Sequence, residues 1–449
     1  MKPHTQTSQG AQRSLSRACR GSLLFEALRD GADEAFPTSR LVAALRESGL
    51  GPDDPRIADT LALLAESGPI LDLAAFRRAI DPSLSIIEQA LRGELVIREF
   101  RSFSNTLREV FDRSDREWSG ASARGIPQLG RMNAERFGAA VASVDGQCFS
   151  VGDARSEFCV QSTCNPISYC LALEEQGVEG VHRHIGCEPS GAPFNELTLN
   201  SRGLPYNPMI DTGAIMSGAL IGPGLPMANR FDNVLGKWQD LAGRARPGFS
   251  QETFLSELST ANRRLALGYL LRESGAFPEG TELAPTLEFF LRSCAIEMTV
   301  ESMAMVAATL ANGGVCPKTG ERVLRSSTVH KCLTLMDSCG MYDVSDDWAL
   351  QVGLPAKSGS SGVVLVVVPN VAGFCAWSPH LDARGNSLRG VEFFRGLASR
   401  FDFHDPDGPT GTEGRTDPLR SPREAERDVT ESAQPACERT AFRRRGKAC

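Results

Sequence analysis

The pattern of apolar and polar positions changes character along the chain. From residue 22 to 111 apolar residues recur at helical spacing, as in Leu41-Val42-Ala43-Ala44-Leu45 and Ile57-Ala58-Asp59-Thr60-Leu61-Ala62-Leu63-Leu64, with Gly-Pro turns between the runs. This predicts a small helical domain over 22–112. After a polar stretch, 113–124, the runs 137–144 and 148–151 flank Asp145-Gly146, a strong hairpin signal. A second strand pair is predicted from 363–368 and 371–377, turning at Pro369-Asn370. Helices lie between the two pairs. Residues 294–311 read as one helix that stops at Asn312-Gly313-Gly314, and 388–401 as an amphipathic helix able to return over the sheet. Strands at both ends and helices in the middle predict an α+β fold over 113–404, an antiparallel sheet with helical layers. Residues 405–449 are polar and rich in Pro and Arg, the composition of a disordered tail.

Composition narrows the function classes. The chain of 449 residues has room for one large core and a smaller domain. Its formal net charge of −7 lacks the basic excess of nucleic-acid binders, so no nucleic-acid partner is expected. Its 13 cysteines form no C-x-x-C pairs, which argues against a disulfide framework and a zinc ribbon and fits a reducing compartment. His182 and His184 flank Arg183 and read as structural; neither a metal nor a cofactor is expected. The longest apolar run, 363–368, is strand-sized and ends at Pro369, so no membrane span is predicted. Residues 1–21 are basic, with Lys2, Arg13, Arg17 and Arg20 among serines and threonines and no acid before Glu26. That composition suits a mitochondrial transit peptide; a disordered basic tail on a cytoplasmic protein has the same composition.

The candidate chemistry lies in Gln161-Ser162-Thr163-Cys164-Asn165-Pro166 and the helical pattern that follows. A serine opening a helix meets the positive end of the dipole, and the side chain at i+3 stands beside it. Serine hydrolases of the S-x-x-K type keep their base there. Here the residue is Asn165, and a carboxamide cannot take a serine proton near neutral pH. Ser162 can alternatively serve as a helix cap.

Several longer motifs, in order, resemble the glutaminase family: Val181-His182-Arg183, Glu188-Pro189-Ser190-Gly191, Asn207-Pro208-Met209, Thr319-Gly320-Glu321-Arg322, Gly340-Met341-Tyr342-Asp343 and Gly353-Leu354-Pro355-Ala356-Lys357-Ser358-Gly359. The similarity runs from about residue 23 to about 404. It implies a serine-β-lactamase-like domain behind an EF-hand-like helical domain that binds no calcium. It also implies hydrolysis of L-glutamine to glutamate and ammonia, mitochondrial residence, and dimers or tetramers that can stack into filaments. By resemblance Ser162 is the nucleophile, Tyr342 the second catalytic hydroxyl, Lys357 the strand lysine and Glu257 the acid that holds the substrate's ammonium. The remaining site positions depart from the family. Asn165 replaces the base lysine; Gly125 and Phe290 replace pocket tyrosines; Asp211 and Arg264 replace asparagines; Ser360 replaces a valine of the oxyanion hole. An Asp and an Arg arising together predict an ion pair across the pocket.

Two function classes follow. One is a pseudoenzyme that acts through self-assembly or by modulating an active glutaminase. The other is a working amidohydrolase in which Tyr342 or Lys357 supplies the base, and a tyrosine acting alone would need a strongly lowered pKa.

Overall fold

The apolar run 363–368 is buried on both faces, and the layers are stacked around it. The computed structural model describes residues 17–29, 33–116, 120, 121, 126–191, 193, 195–403 and 417–419, in two compact units that divide between Leu95 and Val96.

The first unit contains α1 (Arg17–Leu28), β1 (Ala35–Pro37), α2 (Thr38–Glu47), α3 (Ala58–Glu66), β2 (Ile70–Asp72), α4 (Leu73–Ile80) and α5 (Leu84–Arg92). β1 and β2 pair antiparallel, with Phe36 opposite Leu71. The rings of Phe25, Phe36 and Phe76 meet at centroid distances of 5.1 to 5.7 Å and centre its core. Asp72 caps α4, its carboxylate accepting from the Ala75 N–H at 2.7 Å.

The second unit begins with α6 (Phe100–Ser114), β3 (Gly138–Ser143), β4 (Cys148–Gly152) and β5 (Phe158–Cys159). The helical layer follows: α7 (Cys164–His182), α8 (Asp211–Leu220), α9 (Met227–Leu241), then β6 (Gly248–Phe249), α10 (Gln251–Ser259), α11 (Asn262–Glu273) and α12 (Leu283–Cys294). After β7 (Ile296–Met298) come α13 (Val300–Ala311), α14 (Ser326–Cys339), α15 (Ser345–Gln351), β8 (Ala356–Gly359), β9 (Val363–Val368), β10 (Ala372–Trp377) and α16 (Leu388–Arg400). The main sheet is antiparallel in the order β4-β3-β10-β9-β8. Along β9, Val363, Leu365 and Val367 enter one core while Val364, Val366 and Val368 enter another. A strand covered on both faces reads as a continuous apolar run, which explains the pattern in the sequence. Helix α13 covers the first face so closely that a Cβ on Gly373 would lie 2.0 Å from the Ala308 nitrogen. Helices α6 and α16 cover the second.

Both predicted hairpins are present, and the α+β architecture matches the expectation. The helix expected over 294–311 is instead three elements. α12 ends at Cys294, residues 296–298 form β7 between β5 and β6, and α13 restarts at Val300 behind a Thr299–Ser302 capping box. The buried positions of the three pieces, Ile296 and Met298 of β7 among them, follow one another closely, so their periodicity merges. Helix α6, placed by the sequence in the helical domain, belongs to the second unit, where Phe103 and Phe111 join its core. The basic segment 1–16, Gly125 and most of the tail lie outside the described residues. Within that tail, Leu419 packs against the second core.

Candidate active site

A short chain reversal sets the site. β5 delivers Val160, whose N–H donates to Ile296 O at 2.8 Å, into a 3-10 turn, Gln161–Thr163, that leads into α7. Gln161 takes a left-handed φ of 47°, rare for a residue with a side chain. This turn aims Ser162 into the interior, 6% exposed. Ser162 is not a cap: the residue before α7 is Thr163, whose hydroxyl donates back to Val160 O at 2.6 Å.

Asn165 bonds to the backbone of a neighbouring turn. Its Nδ2 donates to Met209 O at 3.1 Å, so the carboxamide is used as a brace between α7 and the turn before α8. That turn is built by Asn207, whose Oδ1 accepts from Met209 N at 2.9 Å. Gly213 permits it, since a Cβ there would lie 1.9 Å from Asn207 O. The turn places Asp211 at the first position of α8, 3% exposed.

Arg264, on α11, enters the space between Asp211 and Glu257. Its Nη1 lies 3.1 Å from Glu257 Oε1, and its Nε lies 3.6 Å from Asp211 Oδ2. The guanidinium carbon is 5.7 Å from the centre of the Phe290 ring. The predicted Asp211–Arg264 pair is therefore present, with Glu257 the nearer partner. Glu257 is fully buried and also accepts from Gln161 Nε2 at 3.0 Å. Gln161 Oε1 in turn accepts from the Ser360 hydroxyl at 3.0 Å. Gln161 thus ties the acid to the position expected to contribute to the oxyanion hole. The sequence reading gave Gln161 no role; its only signal was its place next to Ser162.

The charges shift one another. Burial pushes the carboxyls of Glu257 and Asp211 up, against the pull of Arg264. Burial disfavours the charged Arg264, but Asp211 and Glu257 outweigh it and hold the guanidinium protonated. Burial lowers Lys357, which is 0% exposed, to about 7. The same burial raises Tyr342, although a hydrogen bond from Ser162 works the other way. The expectation that Tyr342 could serve alone as a base required a lowered value. Its proton is also committed: Tyr342 OH donates to Ser358 O at 3.0 Å. Lys357 Nζ donates to the same carbonyl at 2.8 Å and stands 4.2 Å from the Tyr342 ring centre. Lys357 and Ser358 lie in β8, paired with β9 opposite Leu365 and Val364, so the Lys-Ser-Gly segment is an edge strand of the main sheet.

A cavity of about 230 Å³ opens beside Tyr342, lined among others by Asn207, Ile210, Ser338 and Cys339. The structure brings together Ser162, Tyr342, Lys357, Glu257, Asp211, Arg264, Phe290 and Ser360. It leaves Asn165 turned to the backbone. The two histidines lie elsewhere: His182 Nε2 meets Tyr169 OH at 2.9 Å, and His184 Nδ1 meets Ala276 O at 2.7 Å.

The sequence and the fold have counterparts among known proteins. The sequence model of the glutaminase family matches residues 120–405, and that of an EF-hand domain matches residues 21–98. The mitochondrial liver isoform of glutaminase from Mus musculus is 39% identical over 428 residues, 93% of this chain and 71% of that protein. Putative glutaminase 2 of Caenorhabditis elegans is 40% identical over 401 residues, 86% of this chain and 66% of that protein. Among solved structures, the probable glutaminase YbaS is 34% identical with a TM-score of 0.62, covering 66% of this chain and 96% of its own. Mglu in its glutamate form is 35% identical with a TM-score of 0.64, covering 68% of this chain and 70% of its own. With a family model matched over 120–405 and relatives about 40% identical along most of its length, the chain belongs to the glutaminase family.

Proposed function

We propose that this glutaminase-family chain does not turn over glutamine and acts through its scaffold, by self-assembly or by modulating an active glutaminase. One observation carries this reading: the Arg264 guanidinium rests on Glu257 and Asp211. In the family Glu257 corresponds to the acid that holds the ligand's ammonium, so an internal cation fills that role before any substrate arrives. A ligand bound as glutamate is bound by Mglu would have to displace a paired guanidinium from two buried carboxylates.

The chemical step is weakened as well. Asn165 cannot accept the Ser162 proton, and a missing general base removes about 10²- to 10⁴-fold in rate, or about 10⁶-fold where nucleophile and base act as a unit. Phe290 has no hydroxyl for a polar substrate. Residence in mitochondria is proposed by similarity to the mouse liver isoform, and homo-oligomers, as dimers, tetramers or filaments, are proposed as the working state. In the loop before α8, Glu196 lies 3.7 Å from Arg263, a cation already neutralised against an anionic activator. Assembly is therefore expected to be independent of phosphate, which sedimentation with and without phosphate measures.

A second reading rests on Lys357. An amine near 7 is poised to take a proton, and a serine hydrolase using Lys357 as base would show turnover that is lost as pH falls through that value.

The deciding experiment is ammonia release from glutamine, with and without phosphate, beside Ser162→Ala and Asn165→Lys variants. A rate equal to that of Ser162→Ala is expected. Turnover that Ser162→Ala abolishes overturns the non-catalytic reading and favours the second.

A further inference from the structure

Asn386 is 0% exposed, and neither its Nδ2 nor its Oδ1 has a hydrogen-bond partner. A buried carboxamide left wholly unpaired is uncommon in a folded protein. Its backbone is fixed. Asp382 Oδ1 accepts from Arg384 N at 2.8 Å and from Asn386 N at 2.9 Å, while Asp382 N donates to Asn386 O at 2.8 Å. The backbone is held by these bonds, while the side chain makes none.

Asn386 lines a cavity of about 210 Å³ whose walls include Met341, Val344, Trp348, Val352 and Val391. The indole of Trp348 has spent its donor on Leu354 O at 2.7 Å, so it offers the cavity only apolar surface. The charges near the opening are already matched. Arg384 lies 3.6 Å from Asp347, and Arg395 lies 2.6 Å from Glu392. A net charge on a ligand would gain little from pairs that are already neutral. The Asp382 carboxylate is spent on backbone N–H groups, and with Gln351 at the exposed rim the unspent buried chemistry is the donor and acceptor of Asn386, beside the apolar part of the wall.

We propose that this cavity is a binding site for a small neutral molecule carrying a primary carboxamide or lactam edge on an apolar body. A turn of the Asn386 side chain toward the cavity, from which its amide is closed off in this structure, lets such an edge pair with it through two antiparallel hydrogen bonds, while the body fills the space against Trp348, Val352 and Val391. The site shares no side chain with the Ser162 constellation and stands whether or not that site is active. Its place in the fold gives it a consequence. Met341 and Val344 line this cavity, whereas Tyr342, between them, faces the cavity on the other side. An occupant would press on the back of the turn that holds Tyr342 at a left-handed φ of 56°.

The test uses the full chain with benzamide as probe and benzoate and toluene as comparisons, titrated by ligand-observed NMR. Two hydrogen bonds to a buried amide predict that benzamide binds roughly 10-fold or more tightly than either comparison. Asn386→Leu should erase that preference while leaving toluene binding in place. Val391→Trp should fill the chamber and remove binding of all three, and it carries the test if Asn386→Leu does not fold. Equal binding of benzamide and toluene by the native chain overturns the proposal. So does benzamide binding that survives Val391→Trp, or a crystal soaked in benzamide that shows ordered water only beside Asn386.

Discussion

Replacing Arg264 by Asn, the residue that the sequence resemblance leads one to expect there, should destabilise the second unit strongly. The substitution leaves Glu257, 0% exposed, and Asp211, 3% exposed, facing each other without a cation. Removing one partner of a buried ionic cluster costs about 3–5 kcal/mol, because the remaining charge stays desolvated. The loss should depend on pH in a defined direction. Burial already lifts both carboxyls, and without Arg264 their folded values rise further above the unfolded values of about 4. An acid whose folded pKa is raised binds more protons when folded, so its penalty is complete above the folded value and vanishes below the unfolded one. The loss should therefore be near its full size at about pH 8 and distinctly smaller at about pH 5. Adding Asp211→Asn removes one of the stranded charges and should recover roughly 1–2 kcal/mol beyond additivity. Urea unfolding followed by tryptophan fluorescence is the assay. Trp238, Trp348 and Trp377 lie in the second unit, so their signal reports the affected part. A loss below about 1 kcal/mol, equal at both pH values and additive with Asp211→Asn, would refute the ion cluster as described here.

Other outcomes follow from the same geometry. Asn165→Lys alone should give no ammonia release, because Arg264 still occupies the acid. The combination Asn165→Lys, Asp211→Asn, Arg264→Asn and Phe290→Tyr should produce turnover that Ser162→Ala abolishes, read in the same ammonia assay. Lys357→Met should stabilise the chain by several kcal/mol, on the order of 1.4 for each unit of its lowered pKa. The unfolded lysine holds its proton to about 10.5 and the folded one only to about 7, so this gain should be full below pH 7 and fade as pH rises to 10.5. Gly373→Ala forces a methyl against the Ala307–Ala308 backbone and should cost about 3 kcal/mol, measured as a lower Tm.

Which parts of this molecule were legible in its sequence depends on how local their causes are. Strand β9 and its hairpin with β10 were, since an unbroken apolar run before Pro369-Asn370 has few other readings. The break at 295–299 was not read. A three-residue strand, Ile296-Glu297-Met298, between two apolar helices leaves too short a mark on the periodicity, and only pairing with β5 and β6 separates it. The Thr299–Ser302 capping box was the one local trace. In the site, the pairing of Asp211 with Arg264 could be argued from two substitutions of opposite charge. The shorter contact to Glu257, and the link from Glu257 through Gln161 to Ser360, could not. They depend on a left-handed Gln161, and no pattern in the sequence announces a positive φ at a residue that is neither Gly nor Asn.

The proton inventory of the site separates the two readings of its function. An active relay needs a group that loses its proton near neutral pH within reach of the serine. Lys357 meets the first condition, since burial brings it to about 7. It does not meet the second as placed, because its Nζ and the Tyr342 hydroxyl both donate to the carbonyl of Ser358. Tyr342 stands between Ser162 and Lys357 with a raised pKa and a proton already given away, so it passes nothing on until its hydroxyl turns from Ser358 O toward Nζ. The base position beside the serine, which would need no such turn, is Asn165, bound to Met209 O. Catalysis by Lys357 therefore requires both a rotated tyrosine and a displaced Arg264, two rearrangements of buried groups before the first bond changes. A scaffold role requires neither.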